Sequence, residues 1–194
     1  MNDLAIDLLI WLTVPSELGD LALIATAETL VGVHLPSRTS HATRIRRDWP
    51  ASDPRRGTSS ILTFFAHELR LYFAGGQPGF SGPLAFPRAT EYERAVYTAT
   101  RRIPHGETRT YGWVATHAGG SPQSAGNALG RNPLPIIIPC HRVVAAASLG
   151  GFTGGLPLKR KLLALEGASP LNQGELPLAT DPATGGRPPR RARP

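Results

Sequence analysis

The stretch Ile136-Ile137-Ile138-Pro139-Cys140-His141-Arg142-Val143-Val144 holds the only cysteine of this 194-residue chain. An apolar, β-branched run leads to Pro139, and a histidine and an arginine directly follow the cysteine. A thiol reacts as its thiolate, which neighbouring cations favour, and a base beside a thiol is the minimal arrangement for covalent chemistry. The alternative is a buried structural cysteine at a strand end, since a free cysteine mostly behaves as a small hydrophobic residue.

The composition limits the classes of protein to consider. A chain of 194 residues suits one large domain or two small ones, and 41% hydrophobic residues are enough for a real core. A single cysteine excludes an internal disulfide and a cysteine-cluster metal site. The six histidines form no HxH or HxxxH pair, so we expect no metal site.

The charge favours a polyanionic partner such as nucleic acid, because the net charge is +7 and the pI is about 10.5. Only two of the 21 basic residues are lysines, so part of this charge reflects compositional bias. The N-terminus shows no signal-peptide pattern, and the apolar runs are too short to span a bilayer. We therefore expect no membrane association and a reducing, cytoplasmic location.

The first half of the chain predicts an antiparallel meander followed by a helix. Three runs have strand character: Leu8–Val14, Leu21–Thr26 and Leu30–Leu35. The polar, arginine-rich segment 36–58 is predicted to be a long surface loop. Helical spacing of apolar residues then predicts a helix over 59–74, and the Gly- and Pro-rich segment 75–89 suggests a linker.

The second half predicts helices with clear boundaries. A capping box at 90–93 starts one helix, which ends before Pro104. A short helix follows at 111–117, and Ser121-Pro122 starts another that runs to about Gly130. Two short helices joined by a Gly-containing turn make a helix-turn-helix candidate. The second helix is built from small residues, which permit either close approach to a partner surface or tight packing against another helix.

The last predicted helix spans 157–166 and places Glu166 at its C-terminus. The helix dipole disfavours an anion there, so position alone predicts a solvated rather than a paired carboxylate. The Pro-rich, aromatic-free tail at 169–194 is expected to be disordered. Its terminal arginines could attract phosphates weakly, or the tail could have no role.

Taken together, these motifs resemble the methylated-DNA–protein-cysteine methyltransferase family, whose members repair O6-alkylguanine at the cost of their own cysteine. The resemblance covers about residues 12–168. The most specific part runs from Asn132-Pro133 through Pro139-Cys140-His141-Arg142-Val143 to Gly154-Gly155. Further matches are Pro15-x-x-x-Gly19-x-Leu21-x-Leu23, Leu71-Tyr72-Phe73-Ala74-Gly75, and Ile103-Pro104-x-Gly106-Glu107-Thr108-x-Thr110-Tyr111-Gly112.

The resemblance implies an α+β fold in two domains. Residues 1–86 would form a ribonuclease-H-like domain with an antiparallel sheet and a helix. Residues 87–168 would form a helical winged helix-turn-helix domain for DNA binding and alkyl transfer, followed by the tail at 169–194. The recognition helix of this family enters the minor groove, which would explain small residues on that helix because the groove is narrow.

The resemblance also implies a mechanism in which the damaged nucleotide is flipped out of the duplex. Cys140 would take the alkyl group, and His141 would act as a base through a water molecule, polarised by Glu166. Under this reading Glu166 is paired rather than solvated. Asn132 would orient the loop around the thiol, and the Tyr111 phenol would donate a proton or hydrogen bond to the leaving guanine. For Tyr111 the alternative is a half-buried core aromatic.

Backbone groups near Val143 and Thr153 are expected to line the base pocket, and Arg142 to be a structural or phosphate-facing charge. The thioether product is irreversible, so each molecule would act once. No cofactor is expected, because the damaged DNA supplies the alkyl group. The expected partner is double-stranded DNA carrying O6-alkylguanine, bound by a monomer. Preference among alkyl adducts, repair of O4-alkylthymine and cooperative binding on DNA stay open.

The chain departs from the family at the start of the recognition helix, where Gln123 stands in place of the usual arginine. Glutamine lacks the charge and planar fork of arginine, so we expect weaker base flipping or weaker binding. Arg101, Arg102 or Arg131 could compensate through phosphates. The residues predicted to contact DNA are Gln123, Ser124, Ala125, Gly126, Ala128 and Arg131.

Two other function classes remain as alternatives. An alkyltransferase-like protein would bind damage and recruit other repair factors, but such proteins lack the reactive cysteine that is present here. A Cys-His hydrolase usually takes its cysteine and histidine from distant segments, and it would not explain the helix-turn-helix.

Overall fold

A four-stranded mixed sheet forms the N-terminal half of the protein. The structure, a computed structural model, describes residues 8–168, so the predicted disordered tail lies outside the described residues. The strands are β1 (Leu8–Val14), β2 (Leu21–Ala25), β3 (Leu30–His34) and β4 (Asp53–Arg56). Their order across the sheet is β3-β2-β1-β4. The β1–β2 and β2–β3 pairs are antiparallel, as predicted, and β4 pairs in parallel with β1.

Two predictions for the first half of the chain are wrong, and both concern the segment that contains β4. The segment 36–58 is not a long loop, because it contains helix α1 (His41–Asp48) and β4. The sheet is mixed rather than antiparallel, because the chain crosses over through α1 and returns parallel to β1. Ser40 caps α1 by accepting a hydrogen bond from the Thr43 N–H, and Ile45 is the only buried residue of the helix.

The two faces of the sheet bury different sets of side chains. Alternate residues of a strand point to opposite faces. Accordingly Leu23 belongs to the main cluster with Phe65 of helix α2 (Ser60–Phe73), whereas Ile24 belongs to a smaller cluster with Ile45 of α1. The Ser59 hydroxyl caps α2 by accepting from the Leu62 N–H. The sheet is therefore covered by α2 on one face and by α1 on the other.

Four helices and a two-stranded parallel sheet form the rest of the described chain. They are α3 (Glu91–Arg101), β5 (Arg109–Thr110), α4 (Tyr111–Ala118), α5 (Pro122–Gly130), β6 (Val143–Val144) and α6 (Leu156–Leu165). The predicted helices are confirmed to within one or two residues. Both predicted start signals are present, a Thr90–Glu93 capping box on α3 and a Ser121 cap before Pro122 on α5. Gly119 ends α4 in the left-handed conformation, with φ of 77°.

The two halves of the chain share one hydrophobic cluster. It contains Leu23 and Phe65 from the first half together with Val96, Ile138 and Leu162 from the second. A main-chain hydrogen bond of 2.8 Å from the Val33 N–H to the Pro133 carbonyl also joins the sheet to the segment before the cysteine. The domain boundary between residues 86 and 87 remains a prediction, and the core is continuous across it.

The isoleucine run before Cys140 is a tight turn, not a strand. Ile136 has a positive φ of 77°, an unusual conformation for a β-branched residue. The Ile138 N–H donates to the Leu134 carbonyl at 2.8 Å, and Cys140–Arg142 then form a single 3-10 turn. Burial of the isoleucines holds this turn, which places the cysteine and histidine inside the protein.

Residues 8–168 contain neither a candidate membrane span nor a candidate metal-binding cluster. Within that range no helix has both the length and the hydropathy needed to cross a bilayer. Nor do the described residues bring together three histidine, cysteine, aspartate or glutamate side chains that could hold a metal ion.

Candidate active site

Asn132 holds the cysteine and the turn that precedes it. Its Nδ2 donates to the Cys140 Sγ at 3.2 Å and to the Ile138 carbonyl at 3.0 Å, and its Oδ1 accepts from the Leu134 N–H at 2.9 Å. One amide side chain therefore fixes both ends of the turn and contacts the thiol. This geometry agrees with the predicted orienting role of Asn132.

Opposing effects act on the Cys140 thiol. Burial raises its pKa, because a thiolate is costly to place in an apolar environment. The Asn132 hydrogen bond, the positive charge of Lys159 and the N–H groups of Cys140 and His141 act in the other direction. The thiol is therefore predominantly protonated at rest, in a site that already contains groups that stabilise its thiolate.

The Glu166 carboxylate is buried and paired, so the prediction of a solvated carboxylate from position alone is wrong. Its Oε1 accepts from His141 Nε2 at 2.7 Å and from the Tyr72 hydroxyl at 2.7 Å. Arg142 binds both oxygens, through Nε at 2.8 Å and Nη2 at 2.9 Å. Burial alone would raise the pKa of this carboxyl, but the hydrogen bonds and charges of His141 and Arg142 bring it well below its usual range.

His141 is fully buried and has one nitrogen free. A carboxylate only accepts hydrogen bonds, so the 2.7 Å contact with Glu166 places the proton of the neutral ring on Nε2. Nδ1 has no hydrogen-bond partner within residues 8–168 and carries the lone pair. Burial lowers the pKa of His141 despite the neighbouring Glu166, so the ring is neutral near pH 7 and able to accept a proton.

Tyr111 is the first residue of α4 and is half-buried. Its hydroxyl donates to the Gly151 carbonyl at 3.2 Å. Its ring lies against two glycines: an added Cβ would be 3.7 Å from the ring at Gly126 and 2.8 Å from it at Gly150. Burial raises the pKa of the phenol, and the nearby Cys140 adds to the shift. Tyr111 is therefore held close to the thiol in its protonated form.

A cavity of about 690 Å³ opens onto the thiol. Its lining includes Cys140 together with Asn132, Pro135, Phe152 and Thr153. Its volume lies within the range of pockets that bind small molecules. Thr153 therefore lines the same cavity as Cys140, and its contact with a flipped base remains a prediction.

Val143 does not line this cavity. It is fully buried, and its carbonyl accepts from Lys159 Nζ at 2.6 Å. One lone pair of the Val143 carbonyl is thus engaged by Lys159, and the contact of backbone groups near Val143 with a flipped base remains a prediction.

Comparison with known proteins identifies the family. Residues 91–168 match the family model described as the DNA-binding domain of 6-O-methylguanine DNA methyltransferase. The methylated-DNA–protein-cysteine methyltransferase of Mycolicibacterium paratuberculosis is 37% identical over 157 residues, which cover 79% of this chain and 90% of that protein. This chain belongs to the methylated-DNA–protein-cysteine methyltransferase family.

Other similarities agree with this assignment. The Methanothermobacter thermautotrophicus protein of the same name is 47% identical over 103 residues, which span 52% of this chain and 58% of that relative. The crystal structure of Mycobacterium tuberculosis O6-methylguanine methyltransferase has a TM-score of 0.69 at 33% identity, covering 84% of this chain and 96% of that one. A Mycobacterium tuberculosis OGT structure in complex with DNA has a TM-score of 0.67 at 33% identity, covering 82% and 93%. The predicted α+β class is thereby confirmed.

Within this methyltransferase fold, α5 exposes fewer of the predicted DNA-contacting residues than expected. Ala125 and Ala128 are fully buried in the core, so the prediction that they contact DNA is not retained. The Ser124 hydroxyl is engaged by Tyr92 at 2.6 Å and by the Ser121 N–H at 2.9 Å. Gln123 is exposed near the start of α5. The small residues of this helix thus serve packing at several positions, one of the two alternatives left open above.

Arg131 has a partner of its own in the methyltransferase chain. Its guanidinium is largely exposed, and Nε donates to Glu93, the residue that also closes the α3 capping box. The Glu93 carboxyl has a lowered pKa: burial acts to raise it, but the hydrogen bonds from Thr90 and Arg131 outweigh that effect. This ion pair engages the Arg131 Nε–H, and a contact of the remaining guanidinium N–H groups with DNA stays a prediction.

The sequence analysis assigned no role in the site to Tyr72, and it did not predict that Arg142 pairs with Glu166. Arg142 was expected to be structural or phosphate-facing, and its burial against Glu166 confirms the structural expectation and excludes the other. Tyr72 belongs to α2, 94 residues before Glu166. It lies in one of the stretches that resemble the family, which was the only available signal.

Lys159 is the other buried cation that the sequence did not reveal. Its Nζ donates to the carbonyls of Val143, Leu149 and Gly151, and it has no exposed surface. Burial lowers its pKa to about 8. Because Gly151 also accepts from the Tyr111 hydroxyl, Lys159 fixes the loop that holds Tyr111. The available signal was a lysine beside Leu158 and Leu162 on the apolar face of the last helix.

Proposed function

We propose that this chain repairs DNA by moving the alkyl group of an O6-alkylguanine onto Cys140 in one irreversible turnover. The observation that carries the proposal is the sole cysteine, which lines a cavity, accepts a hydrogen bond from Asn132 and is followed by a histidine that is paired with Glu166. The names of the relatives in the family support the same reaction.

The proposed reaction begins with deprotonation of the thiol. The Cys140 proton passes through a water molecule to Nδ1 of His141, the nitrogen that Glu166 leaves free. Glu166 then stabilises the imidazolium, as the carboxylate does in a Ser-His-Asp triad. The hydrogen bond from Asn132 and the charge of Lys159 stabilise the thiolate in the meantime.

The thiolate next attacks the alkyl carbon bound to O6. The C–S bond forms, the C–O6 bond breaks, and its electron pair stays on the guanine. Tyr111, protonated and close to Cys140, donates a hydrogen bond or proton to the departing base. Because the product is a thioether, the protein is consumed in proportion to the lesions that it repairs.

The proposal extends to how DNA is bound. The guanine must leave the base stack to reach a buried thiol, at a cost that is smallest for a damaged, poorly paired base. The α4–α5 pair would act as a winged helix-turn-helix whose α5 enters the minor groove, with Gln123 filling the gap left by the flipped base. The sheet and α2 would correspond to a ribonuclease-H-like domain. We propose that a monomer carries out this reaction, in the cytoplasm.

Mass spectrometry of the intact protein tests the proposal. After incubation with a duplex carrying O6-methylguanine, the wild-type protein should gain one methyl group on the Cys140 peptide, with an end point of one per molecule. The Cys140→Ala variant should bind the same duplex and gain nothing. Binding of the lesion by the wild-type protein without transfer would instead support the recruiting alternative. Repeated turnover of an ester or peptide would support a hydrolase.

A further inference from the structure

The cavity beside Cys140 extends well past the residues that the proposed reaction uses. Its far end is formed by α1 and the end of β3, and includes His34, Arg44, Asp48 and Trp49. A hydrogen bond from the Val33 N–H to the Pro133 carbonyl joins β3 to the segment that contains Asn132, whose side chain contacts the thiol. A methyl group would occupy a small part of 690 Å³.

The far end of the cavity is positively charged. The cavity is lined by four arginines but only two carboxylates. Both carboxylates already have arginine partners, because Asp48 binds Arg47 and Glu93 binds Arg131. The other two, Arg44 and Arg88, form no ion pair with any described residue between 8 and 168. With His34 neutral, the lining carries two positive charges that no carboxylate balances.

Arg44 is held where it can meet a ligand. Its Nη1 donates to the Leu35 carbonyl at 2.7 Å, which fixes the side chain and leaves other guanidinium N–H groups for a ligand. Burial lowers the pKa of Arg44, so its cation would gain from an anionic partner.

His34 is a second polar group prepared at the same place. The residue is 8% exposed, its Nε2 lies 3.2 Å from Asp48 Oδ2, and its Nδ1 has no partner in the described chain. A buried polar atom without a partner costs free energy unless a ligand satisfies it. Because the Asp48 carboxylate only accepts hydrogen bonds, Nε2 of the neutral His34 ring carries the proton and Nδ1 presents a lone pair, which cannot bind a carboxylate. His34 and Arg44 form a polar subsite, and its preference for an anion therefore rests on Arg44, in a cavity whose remaining walls include Trp49, Phe86 and Phe152.

We infer that this polar subsite binds the far end of a long O6 substituent, and that it favours a substituent ending in a carboxylate. The inference rests on the proposed alkyl transfer and specifies its substrate class. The reaction stays balanced: the Cys140 sulfur bonds to the carbon next to O6, that C–O6 bond breaks, and its electron pair leaves with guanine. The thiol proton ends on the base, and the distal carboxylate is unchanged. Arg44 is a specificity residue that contacts the tail and not the reacting atoms.

The test compares three duplexes that differ only in the O6 substituent: methyl, 3-carboxypropyl and 3-carbamoylpropyl. The last two have the same length and shape and differ in charge. Single-turnover transfer, followed by intact mass, should be about tenfold faster for the carboxylate than for the amide in the wild-type protein. Arg44→Gln should remove that preference and leave methyl transfer within about twofold of wild type.

Two further variants keep the outcome interpretable. Arg46→Gln removes an exposed arginine of the same helix that does not line the cavity, and should change none of the three rates. Arg44→Lys keeps the charge and should keep part of the preference, which separates loss of charge from loss of fold. Equal rates for carboxylate and amide in the wild-type protein would overturn the inference.

The inference would also fall if Arg44→Gln slowed methyl and carboxypropyl transfer by the same factor. That result would place Arg44 on the DNA backbone or in general folding. Failure of the wild-type protein to transfer even a methyl group is a separate result, which would contradict the proposed function itself.

Discussion

Replacement of Arg142 with methionine would leave the Glu166 carboxylate buried with its main cationic partner removed. The guanidinium makes two bonds to Glu166, at 2.8 and 2.9 Å, and a third to the Ile103 carbonyl at 2.7 Å. Removing one partner of a buried ion pair typically costs about 3–5 kcal/mol. The free energy of unfolding of natural domains is roughly 5–15 kcal/mol, so the expected loss is a large fraction of the total.

Urea unfolding at pH 7 measures this loss. The matched control is Arg160→Met, which removes an exposed arginine of α6 and should change the free energy of unfolding by less than about 0.5 kcal/mol. The double variant Arg142→Met/Glu166→Gln should recover most of the loss, because no unpaired charge then stays buried. A loss below about 1 kcal/mol for Arg142→Met alone would refute the reasoning.

The pH dependence gives a second, signed readout. In the wild-type protein the pKa of Glu166 is below its unfolded value of 4.5, so its stabilising contribution is complete above that pH and is lost as the pH falls through the folded-state pKa. Without Arg142, burial is less well offset and the folded-state pKa rises. The difference in stability between wild type and Arg142→Met should therefore shrink as the pH falls from 7 towards 4.

Three other substitutions test separate parts of the account. Gly126→Ala should stabilise the protein by about 0.5–1 kcal/mol in urea unfolding, because alanine is the better helix former and its Cβ would have room, 3.7 Å from the Tyr111 ring. If α5 enters a narrow groove, the same variant should bind duplex DNA more weakly. Unchanged affinity would contradict a close approach of α5 to DNA. Gln123→Arg should tighten DNA binding and steepen its log–log salt dependence by about 0.9, measured by fluorescence anisotropy, and no gain would count against the assigned role of this residue. Between about pH 8 and pH 10.5 only the unfolded state keeps the Lys159 proton, so the stability of the wild-type protein should rise with pH across that range. Lys159→Met should abolish this rise, and equal urea midpoints for wild type and variant at both ends of the range would contradict a buried ammonium.

Local signals predicted the second half of the fold well. Helices α3 and α5 start at the predicted caps, and α4 ends at the predicted glycine, because these signals lie within a few residues of the boundary that they set. The first half was predicted less well at 36–58, where α1 buries only Ile45 and presents no apolar stripe. A four-residue polar edge strand such as β4 gives no alternating pattern either.

The candidate site shows the same division between local and distant relations. Asn132 and Cys140 lie eight residues apart, and their relation follows from one recognisable stretch of sequence. The pairing of Glu166 with Tyr72 depends on how α2 packs against the C-terminal half, which no local pattern encodes. Distant partners also reverse the expectation for the end of α6. The helix dipole and burial both disfavour an anion there, but the hydrogen bonds and charges of His141 and Arg142 outweigh them.

Glu166 therefore has a structural role beside the chemical role that we propose for it. It joins α2 through Tyr72, the turn before β5 through the Gly106 N–H at 3.4 Å, and the reactive turn through His141 and Arg142. The network that would orient His141 in the proposed reaction also joins the two halves of the chain. A loss of alkyl transfer in a Glu166→Gln variant thus has two possible origins, and they separate by temperature. If the transfer rate is low at temperatures where urea unfolding shows the variant fully folded, the defect is in proton transfer; if it recovers there, the defect is in folding.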